Sequence, residues 1–239
     1  MKKSFKAILF FFLVLIIASC NKEESSGPEG TFTDSRDGKV YKTIKIGNQT
    51  WMAENLAYLP AVSPANDASS SEVKYYVYDY WGNDVNEAKA TTNFQTYGVL
   101  YNYEAAYHGC PAGWHLPSDE EWKQLEMFLG MSQEEADDDG NRGTTGEGDK
   151  LKATSGWDEN GNESGNGNNQ SGFAGLPGGI RHYSGSFNVI GEWGEFWSST
   201  FDDDRKTHAW NRYLVNDTPD VGRWGFELSY GLSVRCVKD

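Results

Sequence analysis

The three cysteines are the residues whose chemistry their surroundings specify most sharply. Cys20 closes the string Ile17-Ala18-Ser19-Cys20, behind an apolar run that starts at Ala7 and a basic start carrying Lys2, Lys3 and Lys6. A basic start, an apolar stretch too short to span a bilayer stably and small residues before the cut make up a secretory signal. The cysteine that follows the cut predicts a bacterial lipoprotein signal: residues 1–19 are removed, and Cys20 is lipidated and opens a tether over residues 20–30. An uncleaved membrane anchor would need a longer apolar run and a stop-transfer flank.

Cys110 and Cys236 are then an even pair in an oxidising compartment, where a disulfide is the expectation. Such a bond would close a loop of more than half the chain, which the chain-entropy account values at about 5 kcal/mol. The alternative is a reactive or metal-binding thiol pair, although neither cysteine has a Cys or His near it at ligand spacing.

Other residues offer weaker chemistry. Asp137-Asp138-Asp139-Gly140-Asn141, and Asp158 with Asn160 and Asn162, alternate oxygen-bearing side chains as a calcium loop does. In the second, Glu163 stands where the turn glycine belongs and Asn169 where a bidentate glutamate belongs. These stretches and Asp202-Asp203-Asp204 are read as solvated loops; no cofactor is expected, and calcium lacks a complete motif. His108, His115, His182 and His208 are scattered without ligand spacing, and His115 is read as structural. There is no Gly-x-Ser-x-Gly elbow, His-Glu-x-x-His pair or phosphate-cradling Gly-Lys-Ser/Thr string. That leaves a carboxylate pair assembled by folding as the form an enzyme would take.

Of the nine tryptophans, Trp51, Trp114, Trp122 and Trp197 read as core. Trp81 beside Gly82-Asn83-Asp84, Trp193 within Gly191-Glu192-Trp193-Gly194, and Trp224 next to Arg223 are the ligand-binding candidates. Aromatic faces pack on the C–H surfaces of sugars while neighbouring polar groups bond the hydroxyls. Packing beneath long loops is the competing role for the same rings.

Composition narrows the partners. The net charge of −14 falls to −17 once Lys2, Lys3 and Lys6 leave with the signal, and no basic cluster offsets it, so nucleic acid is excluded as a partner. About 210 residues remain beyond the tether, enough for one domain with a full core.

The elements that must position these groups follow from local pattern. Residues 40–46 alternate as a strand, and Gly47-Asn48 suits a tight hairpin into residues 49–53. Asp34 to Gly38 reads as a turn. A short helix is expected over 98–107, from the spacing of Leu100, Tyr103 and Tyr107. A firmer one follows Ser118, where Ser118 and Glu121 form a capping box and Trp122, Leu125 and Leu129 recur at helical spacing. Asp119 and Glu120 are read as groups that suit the start of that helix. Stretches 137–149 and 156–172 are loops, rich in Gly, Asn, Asp and Glu. Strands are expected at 196–200, 208–215, 224–229 and 232–237.

Taken together, several strings occur once each and in a familiar order. They are Ile46-Gly47-Asn48-Gln49-Thr50-Trp51-Met52-Ala53-Glu54-Asn55-Leu56, Cys110-Pro111-Ala112-Gly113-Trp114-His115-Leu116-Pro117-Ser118, Phe196-Trp197-Ser198-Ser199-Thr200 and Ser233-Val234-Arg235-Cys236-Val237. Over residues 31–239 the chain resembles the Fibrobacter succinogenes major paralogous domain, frequent in lipoproteins of Bacteroidetes and Fibrobacteres. The resemblance implies an α+β, C-type-lectin-like domain, similar to the fold of sulfatase-modifying enzymes, with small antiparallel sheets, two helices and long loops. It also implies the Cys110–Cys236 disulfide. A second cysteine pair found in many relatives is absent, since Val77 occupies one of its places.

No activity attaches to that resemblance, and fold alone does not choose chemistry. The lectin calcium motif is degraded to Thr218-Pro219-Asp220 and Trp210-Asn211-Arg212, in reversed order and with a cation where an oxygen ligand belongs. The active-site cysteine pair of formylglycine-generating enzymes has no counterpart. Cys20-Asn21-Lys22-Glu23-Glu24 resembles the surface-export signal of Bacteroidetes lipoproteins, although a charged tether fits the same residues. The expectation is therefore a lipid-anchored outer-membrane protein, exposed at the cell surface, that recognises a glycan or another extracellular ligand without catalysis. The alternatives are an envelope protein that contacts other proteins and a glycan-processing enzyme with an unrecognised carboxylate site.

Overall fold

The computed structural model of the chain describes residues 30–202 and 205–239. The signal over 1–19, Cys20 and the tether through residue 29 lie outside the described residues. Among the described residues, no helix is long and apolar enough to cross a membrane.

The chain opens with strands β1 (Gly30–Thr33), β2 (Val40–Ile46) and β3 (Gln49–Met52). The β2–β3 hairpin falls where alternation placed it, because Gly47 takes the left-handed φ of 61° that the two-residue turn requires. After β4 (Tyr75–Tyr76) come two short helices, α1 (Val85–Ala90) and α2 (Thr92–Tyr97). Next are β5 (Leu100–Tyr101), α3 (Tyr103–Tyr107) and β6 (Trp114–His115). The helix expected over 98–107 is thus halved. Leu100 and Tyr101 pair with β4 and Leu232, and the Asn102 side chain accepts from the Ala105 amide at 3.1 Å to start α3 one turn later.

Helix α4 (Asp119–Phe128) starts at the anticipated capping box: Ser118 Oγ accepts from the Glu121 amide, and the Glu121 carboxylate accepts from the Ser118 amide at 2.8 Å. It is the only helix longer than six residues among those described, and five shorter ones accompany it where two helices in all were expected. The Gly- and Asp-rich stretch expected as loop contains α5 (Gln133–Asp137) at its edge, β7 (Gly140–Arg142) and α6 (Glu147–Leu151). Strands β8 (Ile180–Arg181), β9 (Phe187–Asn188), β10 (Trp193–Phe201), β11 (His208–Val215), β12 (Val221–Glu227) and β13 (Val237–Lys238) complete the chain.

All strand pairings are antiparallel. One sheet runs β1-β2-β3-β13-β6 and another β10-β11-β12-β7, with two small two-stranded sheets beside them. This is a mixed α+β architecture of small antiparallel sheets. The four-stranded sheet lies between two apolar cores: Phe196, Leu214 and Val221 face Trp51, Trp122 and Phe173, whereas Trp197 and Ala209 join Tyr101, Tyr103 and Val234. Trp51, Trp114, Trp122 and Trp197 are all buried, as their sequence settings suggested.

The final segment ties these parts together instead of forming one long strand. Gly231 bridges to Arg181, Leu232 to Tyr101 and Ser233 to Phe196, and the carbonyls of Val234 and Cys236 accept from the amides of Leu56 and Met52. Cys236 is bonded to Cys110, with a Cα–Cα distance of 5.9 Å and 126 residues between them. His115 closes the same corner, with Nδ1 2.6 Å from an Asp239 carboxylate oxygen and Nε2 2.8 Å from one of Glu121. Burial draws its imidazole down, but those two carboxylates outweigh burial and hold it above its ordinary value.

A Cys110→Ser/Cys236→Ser protein should lose about 2–5 kcal/mol of unfolding free energy in urea. An unchanged urea midpoint would show that the hydrogen bonds of the last segment hold the chain end without the covalent link.

Candidate functional site

The four-stranded sheet has two unlike faces. On the face toward α4, three arginines from three strands meet two carboxylates of the helix. Asp119 accepts from Arg212 Nη1 at 2.7 Å and from Arg223 Nε and Nη2 at 3.0 and 2.8 Å. Glu126 accepts from both terminal nitrogens of Arg142, at 3.1 and 3.0 Å, and from Arg212 Nε at 2.6 Å. Arg223 also pairs with Asp139 and lies over the Trp210 ring at 3.6 Å. Burial pushes the Asp119 carboxyl upward, but Arg223 and Arg212 overcome it and hold it at about 2. Asp119 is therefore the anchor of a buried ion network, beyond its place at the helix start.

This corrects the expectation for Arg223. Alternation on β12 turns its side chain inward while Trp224 turns outward, so the guanidinium is buried and committed to carboxylates. It is not available to a ligand.

The opposite face is aromatic. Cross-strand register sets Glu195 opposite Tyr213, Tyr213 opposite Gly222, and Gly222 opposite Asn141; the next row sets Trp197, Asn211 and Trp224 together. Trp193 stacks on Tyr213, with centroids 5.4 Å apart and ring planes 22° from parallel. Tyr213 lies flat across β12, where a Cβ on Gly222 would fall 1.9 Å from its ring, and its hydroxyl donates to Asn141 Oδ1 at 2.7 Å. Trp224 is 45% exposed and has the Arg205 guanidinium 5.4 Å from its ring centroid. Trp193, Tyr213 and Trp224 therefore share one outward face.

Beneath them, Glu195 and Asn211 are fully buried. Asn211 Nδ2 donates to Glu195 Oε2, while Glu195 Oε1 and Asn211 Oδ1 have no partner. Burial pushes the Glu195 carboxyl well above the ordinary glutamate range, and the bond from Asn211 opposes this only in part. Protonation removes an uncompensated buried charge and turns the carboxyl into a donor as well as an acceptor. The titratable groups facing it are Tyr213 from β11 and Tyr230.

Trp81 lies elsewhere. It is 58% exposed on the segment before α1, its Nε1 donates to Asp79 Oδ1 at 3.2 Å, and its ring meets Phe187 edge-on, which in turn packs on Tyr78. The fold brings Trp193 and Trp224 to one face but not Trp81.

The acidic loops are largely paired within the protein. Asp137 accepts from Lys123 and Gln133, Asp139 holds Arg223, and Asp202 holds Arg205; Asp203 and Asp204 lie outside the described residues. Among the described residues, no group of three His, Cys, Asp or Glu is placed to hold a metal ion. Tyr213 and Glu195 are not among the sequence candidates, and Asn141 enters there only within the 137–141 stretch read as a solvated loop. Their signal was Glu195, the one charged residue of its strand, set among Trp193, Phe196 and Trp197, and it names no cross-strand partner.

The fold and its faces define a disulfide-tied α+β domain in which buried ions hold one sheet face and the other, partly covered by core, carries Trp193, Tyr213 and Trp224 at its solvent side. The family profile for the Fibrobacter succinogenes major domain matches residues 44–238, and the chain belongs to that family. Comparison with curated proteins and with solved structures gave no match.

Replacing Glu195 with glutamine should leave the protein as stable as the parent near pH 4 and more stable above it. The raised carboxyl gives stability that is complete below the ordinary glutamate value and is lost as pH rises toward its own higher value, and glutamine has no proton to lose. Thermal melts of the two proteins from pH 4 to 9 read this directly. A Glu195→Gln protein that is less stable than the parent at pH 7 would mean that the ionised carboxylate is the native form.

Proposed function

We propose that this chain is a lipid-anchored, surface-exposed protein of the outer membrane whose domain recognises a glycan without catalysis. The observation that carries this reading is that Trp193 stacked on Tyr213, and Trp224 in the neighbouring cross-strand row, share one face of the four-stranded sheet, with Trp224 exposed. Stacked and flanking rings on a rigid sheet offer flat apolar surfaces to sugar C–H faces at little entropic cost, because packing already holds them. Gly222 leaves Tyr213 flat against the strand, and Asn141 fixes its hydroxyl.

The signal and cysteine at residues 1–20 support the lipid anchor, and Lys22-Glu23-Glu24 supports export to the surface. A C-type-lectin-like relationship agrees with the small antiparallel sheets and the disulfide from mid-chain to chain end. Recognition on a sheet face also differs from the calcium-bridged mode of sugar-binding lectins, which the degraded strings around Pro219 and Asn211 do not supply. Asn211 is instead committed to Glu195.

Polysaccharide pull-downs with the full-length protein in detergent test the reading. The parent should retain at least one glycan. Trp193→Ala and Trp224→Ala together should weaken retention at least tenfold, each ring contributing about 1 kcal/mol or more. Retention unaffected by both substitutions would remove the platform, and co-purification of an envelope protein with no glycan bound would favour the protein-contact role.

A further inference from the structure

Away from that face, a cavity of about 380 Å³ opens between the β2–β3 hairpin, the end of α2 and the loop around residues 169–176. Its size falls within the range of about 300–1,000 Å³ usual for small-molecule sites. The charged residues on its wall are Lys39, Lys42 and Glu54, a net positive lining in a chain of net charge −14. Glu54 is partly engaged, since it accepts from the Lys42 backbone amide at 3.1 Å.

A further cation stands directly behind the wall. Arg235 is fully buried, and its guanidinium donates to Asn55 Oδ1 at 2.8 Å, to the Met52 carbonyl at 3.2 Å, and to the carbonyls of Phe173 and Ala174. Each of these acceptors is neutral, and the ring of Phe173 lies 4.4 Å away. Burial draws the Arg235 guanidinium down to about 9, and the one charge that opposes this is Glu54, on the cavity wall. A buried cation without a countercharge is costly, and its field reaches a nearby cavity through low-dielectric protein with little screening. Asn55 and Ala174, two of its acceptors, line that cavity.

The backbone of the wall is unusual as well. Four non-glycine residues have positive φ among those described, and two of them, Asn169 at 50° and Ala174 at 52°, line the cavity. They are joined, with Asn169 Oδ1 accepting from the Ala174 amide at 2.8 Å, while Arg235 holds the Ala174 carbonyl. Such conformations cost energy and persist where surrounding contacts impose them, often at ligand sites.

We propose that this cavity binds a carboxylate-bearing sugar of the uronic acid class, its carboxylate toward Lys42 and Lys39 in the field of Arg235 and its ring against Phe94 and Tyr97. Lys39, Lys42, Phe94 and Tyr97 all line the cavity. The site is separate from the tryptophan face and does not depend on it.

Calorimetric titration of the full-length protein with glucuronate, glucose and inorganic phosphate tests the proposal. Glucuronate should bind, and glucose, which lacks the carboxylate, should bind at least tenfold more weakly. Lys42→Glu should cost at least tenfold in glucuronate affinity, whereas Lys42→Arg should retain it; Lys42 is exposed, and matching thermal melts of both variants confirm their folds. The Trp193→Ala/Trp224→Ala protein should bind glucuronate like the parent, which separates this site from the proposed glycan face. Equal binding of glucose and glucuronate, binding of phosphate without glucuronate, no binding of any probe, or an unchanged affinity in Lys42→Glu would each overturn it.

Discussion

The meeting of Asp119 and Glu126 with Arg142, Arg212 and Arg223 is the constraint from which the rest of the structure follows. Two carboxylates on one helix receive guanidinium groups from three separate strands, and Asp139 supplies the third negative charge. Removing water from such groups is expensive and is offset only when geometry and hydrogen bonding are nearly complete; loss of one partner typically costs about 3–5 kcal/mol. Helix α4 therefore has one workable seat on the sheet. Seating it there orders β7, β11 and β12, turns Trp210 under Arg223 and seals that face against any ligand.

Once one face is sealed in this way, strand alternation decides the chemistry of the other. Every strand residue next to a clamped arginine turns to the other face of the sheet, so Asn211 and Tyr213 flank Arg212, and Gly222 and Trp224 flank Arg223. The first face is thus held by ions; the second is closed by the core around Trp197 and Ala209 and carries Trp193, Tyr213 and Trp224 on its solvent side. Glu195 lies buried on this second face without a cation, where burial favours the neutral acid beside Asn211 over an ionised carboxylate in a dry environment. At the other end of the molecule, adjacent residues make the closing ties: Cys236 holds Cys110 covalently, and Arg235 gathers the 52–55 and 173–174 backbones around one guanidinium.

Much of this was legible where the deciding interaction is local. Gly47-Asn48 set the β2–β3 hairpin, Ser118 and Glu121 set the start of α4, and the compact strand pattern of residues 208–215 marked β11 to the residue. The pairing of Cys110 with Cys236 followed from compartment and count. Legibility ended where the partner is distant. Asp119 satisfied every rule for a helix-starting acid, and nothing near it points to Arg212 or Arg223, about a hundred residues on. Arg223 reads as a surface group beside the exposed Trp224, yet adjacent strand residues face opposite ways. The 98–107 stretch has helical spacing, but long-range pairing of Tyr101 with Leu232 claimed its first half. The Gly- and Asp-rich stretches resisted prediction because β7 exists only through β12.

The central claim, that one face of this sheet is closed by buried ions and the other presents its rings for recognition, is tested most directly by the indole N–H signals of the nine tryptophans. Titration with a glycan retained by the protein, followed by two-dimensional NMR, should shift Trp193 and Trp224 and leave Trp51, Trp122 and Trp197 in place. Shifts confined to Trp81, or spread through the buried indoles while Trp193 and Trp224 stay fixed, would contradict it.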